Sequence, residues 1–175
     1  HGGYCSTNHY SRIPPISPSP ISVDSYAPIQ ARAMDKSDIR NFRKWHRQAA
    51  LRSKQAGFDI VYVYAAHSGT LLTHFLSRRI NRRTDEYGGS LENRVRLFRE
   101  LIEDTKDAVG DSGAGAVRFC VEEFLGAQGI TSENEGKEII EMLAELPDLW
   151  DVNISDWSID SATSRFESEG YQEPY

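Results

Sequence analysis

The stretch Phe58-Asp59-Ile60-Val61-Tyr62-Val63-Tyr64 decides the fold. It is β-branched and aromatic, shows almost no polar alternation, and is too short for a buried helix. A strand covered on both faces reads this way, and such strands belong to parallel sheets packed between helices. Upstream, Ile39, Phe42, His46, Ala49, Ala50 and Ser53 recur at helical spacing behind Asp35 or Ser37 as N-cap, with Gly57 where a C-terminal cap belongs. Downstream, after a connection of about 25 residues, far beyond the usual two to six, Leu91, Val95, Phe98, Ile102 and Thr105 lay out a second helix ending at Gly110. A strand over 114–121 follows. Ser132 and Glu135 have the spacing of a capping box, ahead of a third stripe of Ile139, Leu143 and Leu146. Leu149-Trp150-Asp151-Val152-Asn153-Ile154 closes the series as a third strand. Helix–strand repeats of this kind imply α/β architecture, with strands at 58–64, 115–121 and 149–154 parallel and adjacent in that order.

No glycine-rich phosphate fingerprint opens a helix, which speaks against a dinucleotide-binding sheet and for a barrel. A complete barrel takes about 250 residues, and three strands are visible in 175. The expectation is a partial (β/α)8 TIM barrel, one domain over 1–175, with 1–34 an irregular Pro-rich loop and 35–175 the helix–strand repeats. With 39% hydrophobic and 26% charged residues, the composition is that of a globular protein, and the net charge of −6 offers no basic surface for nucleic acid or an anionic membrane. No apolar run approaches the roughly 18 residues of a membrane span. The two cysteines, Cys5 and Cys120, make neither a disulfide framework nor a metal-ligand spacing, so a cytoplasmic location is expected.

Function in a (β/α) barrel collects at the carboxyl ends of the strands. The first such end delivers Tyr64 and His67 into the long connection. They either polarise and deprotonate a substrate or simply pack beneath the loop. Arg118 interrupts an apolar strand and needs an anionic or strongly accepting partner. That partner is either a structural carboxylate, such as Glu122 or Glu123, or an electron-rich ligand in the barrel mouth. After the third strand, Trp157 and Asp160 offer an apolar wall and a counter-charge to His67, although Asp is also an ordinary turn residue. The charged run from Asn81 to Arg94 reads as a loop held by ion pairs and a glycine turn.

The run from Ala56 through His67, then Phe75-Leu76-Ser77, then Asn81 through Arg94, resembles the old yellow enzyme family of FMN-dependent (β/α) barrels. Tyr64-x-x-His67 is similar to the trimethylamine dehydrogenase branch. Leu149-Trp150-Asp151-Val152-Asn153 and Asp160-Ser161-Ala162-Thr163-Ser164-Arg165-Phe166 look most like its dimethylglycine and N-methylproline demethylases. The resemblance implies oxidative demethylation of an N-methylated amine. Tyr64, His67 and Asp160 would then be the catalytic triad, Trp157 would wall the substrate, and Arg118 would lie beside the pyrimidine edge of FMN. It also implies a 4Fe-4S cluster held beyond this stretch, a protein or nicotinamide electron acceptor, and an isolated chain that is inactive and holds FMN poorly. An alkene reductase is the alternative within the family, disfavoured by Tyr64 in place of His. A non-catalytic α/β module binding a partner through unpaired strand edges is the alternative outside it.

Overall fold

The computed structural model describes residues 13–22, 30–67 and 69–154. Short strands β1 (Ile16–Ser17), β2 (Ile21–Ser22) and β3 (Gln30–Ala33) come first, followed by helix α1 (Lys36–Gln55). Then come β4 (Ile60–Ala65), α2 (Leu71–Leu76), α3 (Leu91–Val109), β5 (Ala114–Glu122), α4 (Lys137–Leu143) and β6 (Leu149–Ile154). The strands β4, β5 and β6 pair in that order and both pairings are parallel, as the three apolar runs require.

Local chemistry explains the helix ends. Asp35 caps α1 by accepting from Asp38 N at 2.8 Å, while the Asp38 carboxylate accepts from Asp35 N at 2.9 Å, a reciprocal box. At the other end Gly57 takes φ +81°, and Phe58 N donates to Ser53 O at 3.1 Å, the double closure of a Schellman turn. Ser90 caps α3.

The third helix begins differently from expectation. Ser132 makes no capping bond, and 132–136 wind as a wide π-type turn before α4. Glu135 is engaged elsewhere, by the guanidinium of Arg94, which is 2% exposed, and by Arg78 at 2.9 Å. A buried guanidinium needs a carboxylate more than a helix end needs a cap, since an unpaired charge at that depth is the larger penalty.

The long connection contains α2, every residue of which is buried. Six residues apolar on nearly all sides carry no readable period, so this helix is invisible in the sequence. Beyond it, Asn81 donates to Phe75 O at 2.7 Å and Tyr87 O at 2.8 Å, and Arg83 pairs with Asp85 and donates to Pro18 O at 3.0 Å. Ion pairs and a turn at Gly89, φ +83°, therefore hold this segment. The Pro-rich segment expected as irregular loop makes short pairings among its described residues. There β3 lies between β1, to which it is parallel, and β2, to which it is antiparallel.

One apolar cluster joins Val63, Ala65, Val117, Phe119, Val121 and Ile154 of the sheet to Val95, Phe98, Leu101 and Ile102 of α3. Phe119 stacks at 5.9 Å from Phe98 and at 6.5 Å, edge to face, from Trp150. Among the described residues no helix is long and apolar enough to cross a membrane.

Candidate functional site

Alternation along the strands sends Ile60, Tyr62 and Tyr64 to the face opposite that core. Cross-strand register extends the pattern into rows. Tyr62, Ala116 and Leu149 form one row, and Tyr64, Arg118 and Asp151 the next. The first row is apolar yet open, Tyr62 and Leu149 being 42% and 44% exposed. The second is polar and lies toward the carboxyl ends.

Just past β4 the backbone turns left-handed at His67, φ +60°. A non-glycine residue in that region is strained by about 1–3 kcal/mol, and such strain gathers where a side chain must be aimed. Here it brings the ring back over its own strand. His67 Nδ1 forms a short hydrogen bond with Tyr64 Oη, the rings 5.9 Å apart and tilted by 31°. On its other side, Asn153 Nδ2 lies 3.0 Å from His67 Nε2. The two residues singled out in the sequence thus touch, and a third joins them from β6.

Arg118 is not enclosed as an arginine in an apolar strand suggests. Its side chain is 35% exposed, and Nη1 donates to Asp151 Oδ2 at 2.8 Å across the row. The expected carboxylates serve backbone amides instead. Glu122 accepts from Phe124 N and Ser132 N, at 3.0 and 3.1 Å, and Glu123 accepts from Ile130 N at 2.7 Å. Arg118 Nε is buried with no partner among the described residues. A buried N–H without an acceptor is unfavourable, and a ligand edge rich in carbonyl and ring-nitrogen acceptors, as the pyrimidine of FMN is, matches that need.

Trp157 and Asp160 lie outside the described residues. Asp151 and Asn153 were missed as site residues, although the sequence carries their signal. In Leu149-Trp150-Asp151-Val152-Asn153-Ile154 the polar residues recur with period two inside an apolar strand, which marks a polar face. Among the described residues no group of three or more His, Cys, Asp or Glu side chains converges as a metal site.

Comparison with known proteins agrees with this architecture. The chain superposes on 6-hydroxypseudooxynicotine amine oxidase of Pseudomonas geniculata N1 with TM-score 0.91 and 53% identity, covering 99% of this chain and 26% of that one. Histamine dehydrogenase of Rhizobium sp. 4-9 superposes with TM-score 0.83 and 47% identity over 89% of this chain and 23% of its own. Dimethylamine dehydrogenase of Hyphomicrobium sp. (strain x) is 38% identical over 135 residues, 75% of this chain and 18% of that protein. The chain therefore spans about a fifth to a quarter of the length of these relatives, and its strands and helices match part of a TIM-barrel flavin oxidoreductase. Residues 2–174 match one family throughout, so that the parallel strands, the Tyr64–His67 pair and Arg118 all fall within the matched span: the chain belongs to the NADH:flavin oxidoreductase / NADH oxidase family, which binds FMN, and is related within it to amine dehydrogenases and oxidases.

Proposed function

We propose that this chain forms one wall of the active site of an FMN-dependent oxidoreductase that oxidatively demethylates an N-methylated amine. The observation that carries the reading is the hydrogen-bonded Tyr64–His67 pair beside Arg118, in one row of side chains toward the carboxyl ends of parallel strands. FMN, when bound, supplies the two-electron acceptor for a hydride equivalent from the carbon attached to nitrogen. The protein's residues make that transfer feasible.

An ammonium has no lone pair with which to stabilise the carbon that loses hydride, so the substrate nitrogen must first be neutral. The Tyr64–His67 pair takes that proton, acting as one coupled acid–base unit. Asp160 is the third member of the triad and Trp157 the wall against the substrate's apolar part. Loss of hydride leaves an iminium, to which water adds. Cleavage of the carbon–nitrogen bond then yields formaldehyde, the demethylated amine and a proton. Arg118 would hold the pyrimidine edge of the flavin and offset negative charge there, with Asp151 fixing the guanidinium's orientation. The electron acceptor, a protein or a nicotinamide cofactor, and a 4Fe-4S cluster beyond this stretch belong to the same proposal.

Stopped-flow reduction of the bound flavin by dimethylglycine or N-methylproline, from pH 6 to 10, in a full-length flavin-loaded protein that carries this stretch, tests it. Wild type should be reduced along a pH-dependent limb, and His67→Gln should slow the limiting rate on the order of a hundredfold or more and displace the limb. Reduction by neither amine, with NADPH-driven turnover of an enone instead, would replace this reading with an alkene reductase.

A further inference from the structure

We propose that Asp151 is a positioning residue whose charge, and not only its shape, sets how strongly Arg118 favours the reduced flavin, and so tunes the flavin's reduction potential. The inference rests on the reading of Arg118 as the residue beside the pyrimidine edge of FMN. It starts from a contrast among the arginine–carboxylate pairs of this chain. Arg32 grips Asp38 with Nη1 and Nη2, while Arg43 and Arg83 grip Asp104 and Asp85 with Nε and Nη2. Arg94 reaches both oxygens of Glu135. Each is a two-pronged pair, which commits the guanidinium's fork to one carboxylate. Arg118 makes no such pair. Among the described residues its side chain donates once, from Nη1 to Asp151 Oδ2 at 2.8 Å, and Nε is buried without a partner.

The carboxylate thus takes one N–H and leaves the Nε edge of the guanidinium for another acceptor. Nor does burial require the pair. The Arg118 and Asp151 side chains are 35% and 29% exposed, whereas Arg94, at 2%, needs Glu135 to neutralise an enclosed charge. A half-open, single-bonded pair contributes little to stability. What Asp151 changes is the field. Hydride arriving at the flavin leaves one negative charge, spread over the nitrogen and carbonyl oxygen of the pyrimidine edge, and a guanidinium there favours that charge. With a carboxylate at 2.8 Å, the guanidinium presents a dipole in place of a full positive charge, and its pull on the flavin weakens. The flavin has to accept electrons from an amine and then release them to an acceptor. An edge left too positive would hold them, and Asp151 sets the compromise.

The test is redox titration of the flavin in a full-length flavin-loaded protein that carries this stretch. Asp151→Asn keeps the size of the side chain and an oxygen for Nη1, and removes the charge. It should raise the two-electron midpoint potential by about 30 mV, a tenfold gain in preference for the reduced flavin. Asp151→Ser makes the same charge change and should shift the potential the same way, which covers an Asn protein that does not load flavin. Asp151→Glu restores the charge and should stay near the wild-type value. Arg118→Gln should lower the potential or weaken flavin retention. If it does so while Asp151→Asn leaves the potential unmoved, or if Asp151→Glu shifts it as far as Asp151→Asn, Asp151 only orients the guanidinium and the proposal is overturned. If Arg118→Gln changes neither potential nor retention, the placement of Arg118 beside the flavin falls and takes the proposal with it. Potentials that shift as expected in a protein whose flavin dimethylglycine does not reduce would remove the demethylase reading and leave Asp151's role standing.

Discussion

The two faces of the β4–β5–β6 sheet are built from the same chain by the same alternation, yet they differ in almost every physical respect. The face toward α3 carries Val63, Ala65, Val117, Phe119 and Val121, all fully buried. The opposite face carries Ile60, Tyr62 and Leu149, each more than two-fifths exposed, and above them the polar row of Tyr64, Arg118 and Asp151. Helices cover the first face over β4 and β5, with Val152 on the β6 edge left 45% exposed, and no described helix covers the second. The covered face holds the fold together, and its residues tolerate little change because close-packed interiors relax only partially. The open face contributes little to stability and is where chemistry is placed.

If that contrast is right, substitutions on the two faces must separate stability from function. The largest stability loss is expected for Phe119→Ala, which removes a ring held between Phe98 and Trp150 and should cost about 3–5 kcal/mol in urea unfolding; a loss below about 1 kcal/mol would show that the covered face is not the core. On the other face, His67→Gln should slow flavin reduction on the order of a hundredfold or more and leave the unfolding midpoint nearly unmoved. An equal drop in both would return His67 to the role of a packing residue.

Asp35→Ala should cost about 1 kcal/mol, the usual value of an N-cap, read as loss of α1 helicity in the unfolding curve. A smaller effect comes from His46 on α1, which burial keeps below the usual imidazole range, with Asp104 opposing the shift. A group depressed on folding binds its proton more readily in the unfolded chain, so stability should fall as pH drops through the ordinary histidine range near 6.5. His46→Gln should flatten that slope between pH 7 and 5, and an unchanged slope would assign it to other groups. Least of all, Tyr62→Thr on the open apolar row should shift stability within about 0.5 kcal/mol; a core-sized loss there would erase the distinction between the faces.

Several features were legible because their causes are local. Asp35 and Gly57 close the two ends of α1 through atoms a few residues away. The three apolar runs became three strands in the expected order, because crossover helices leave parallel strands few other arrangements. Expectations failed where a distant residue competed for the same group. Glu135 has the sequence spacing of a capping box, but Arg94, 41 residues earlier, takes its carboxylate. A structural carboxylate such as Glu122 or Glu123 was one of two alternatives open for Arg118, and the carboxylate that meets it is Asp151, directly across the sheet.

What the sequence by itself determined is therefore the periodicity of each element, its caps, and which strand ends carry Tyr64, His67 and Arg118, since these follow from residues within about a turn of one another. The tertiary structure decided the pairings. A parallel register is set by how α3 and α4 pack back onto the sheet, and one residue of slip would send every side chain of β6 to the other face. The register that packing selected put Asp151 opposite Arg118 and brought Asn153 within reach of His67, 86 residues away in the chain.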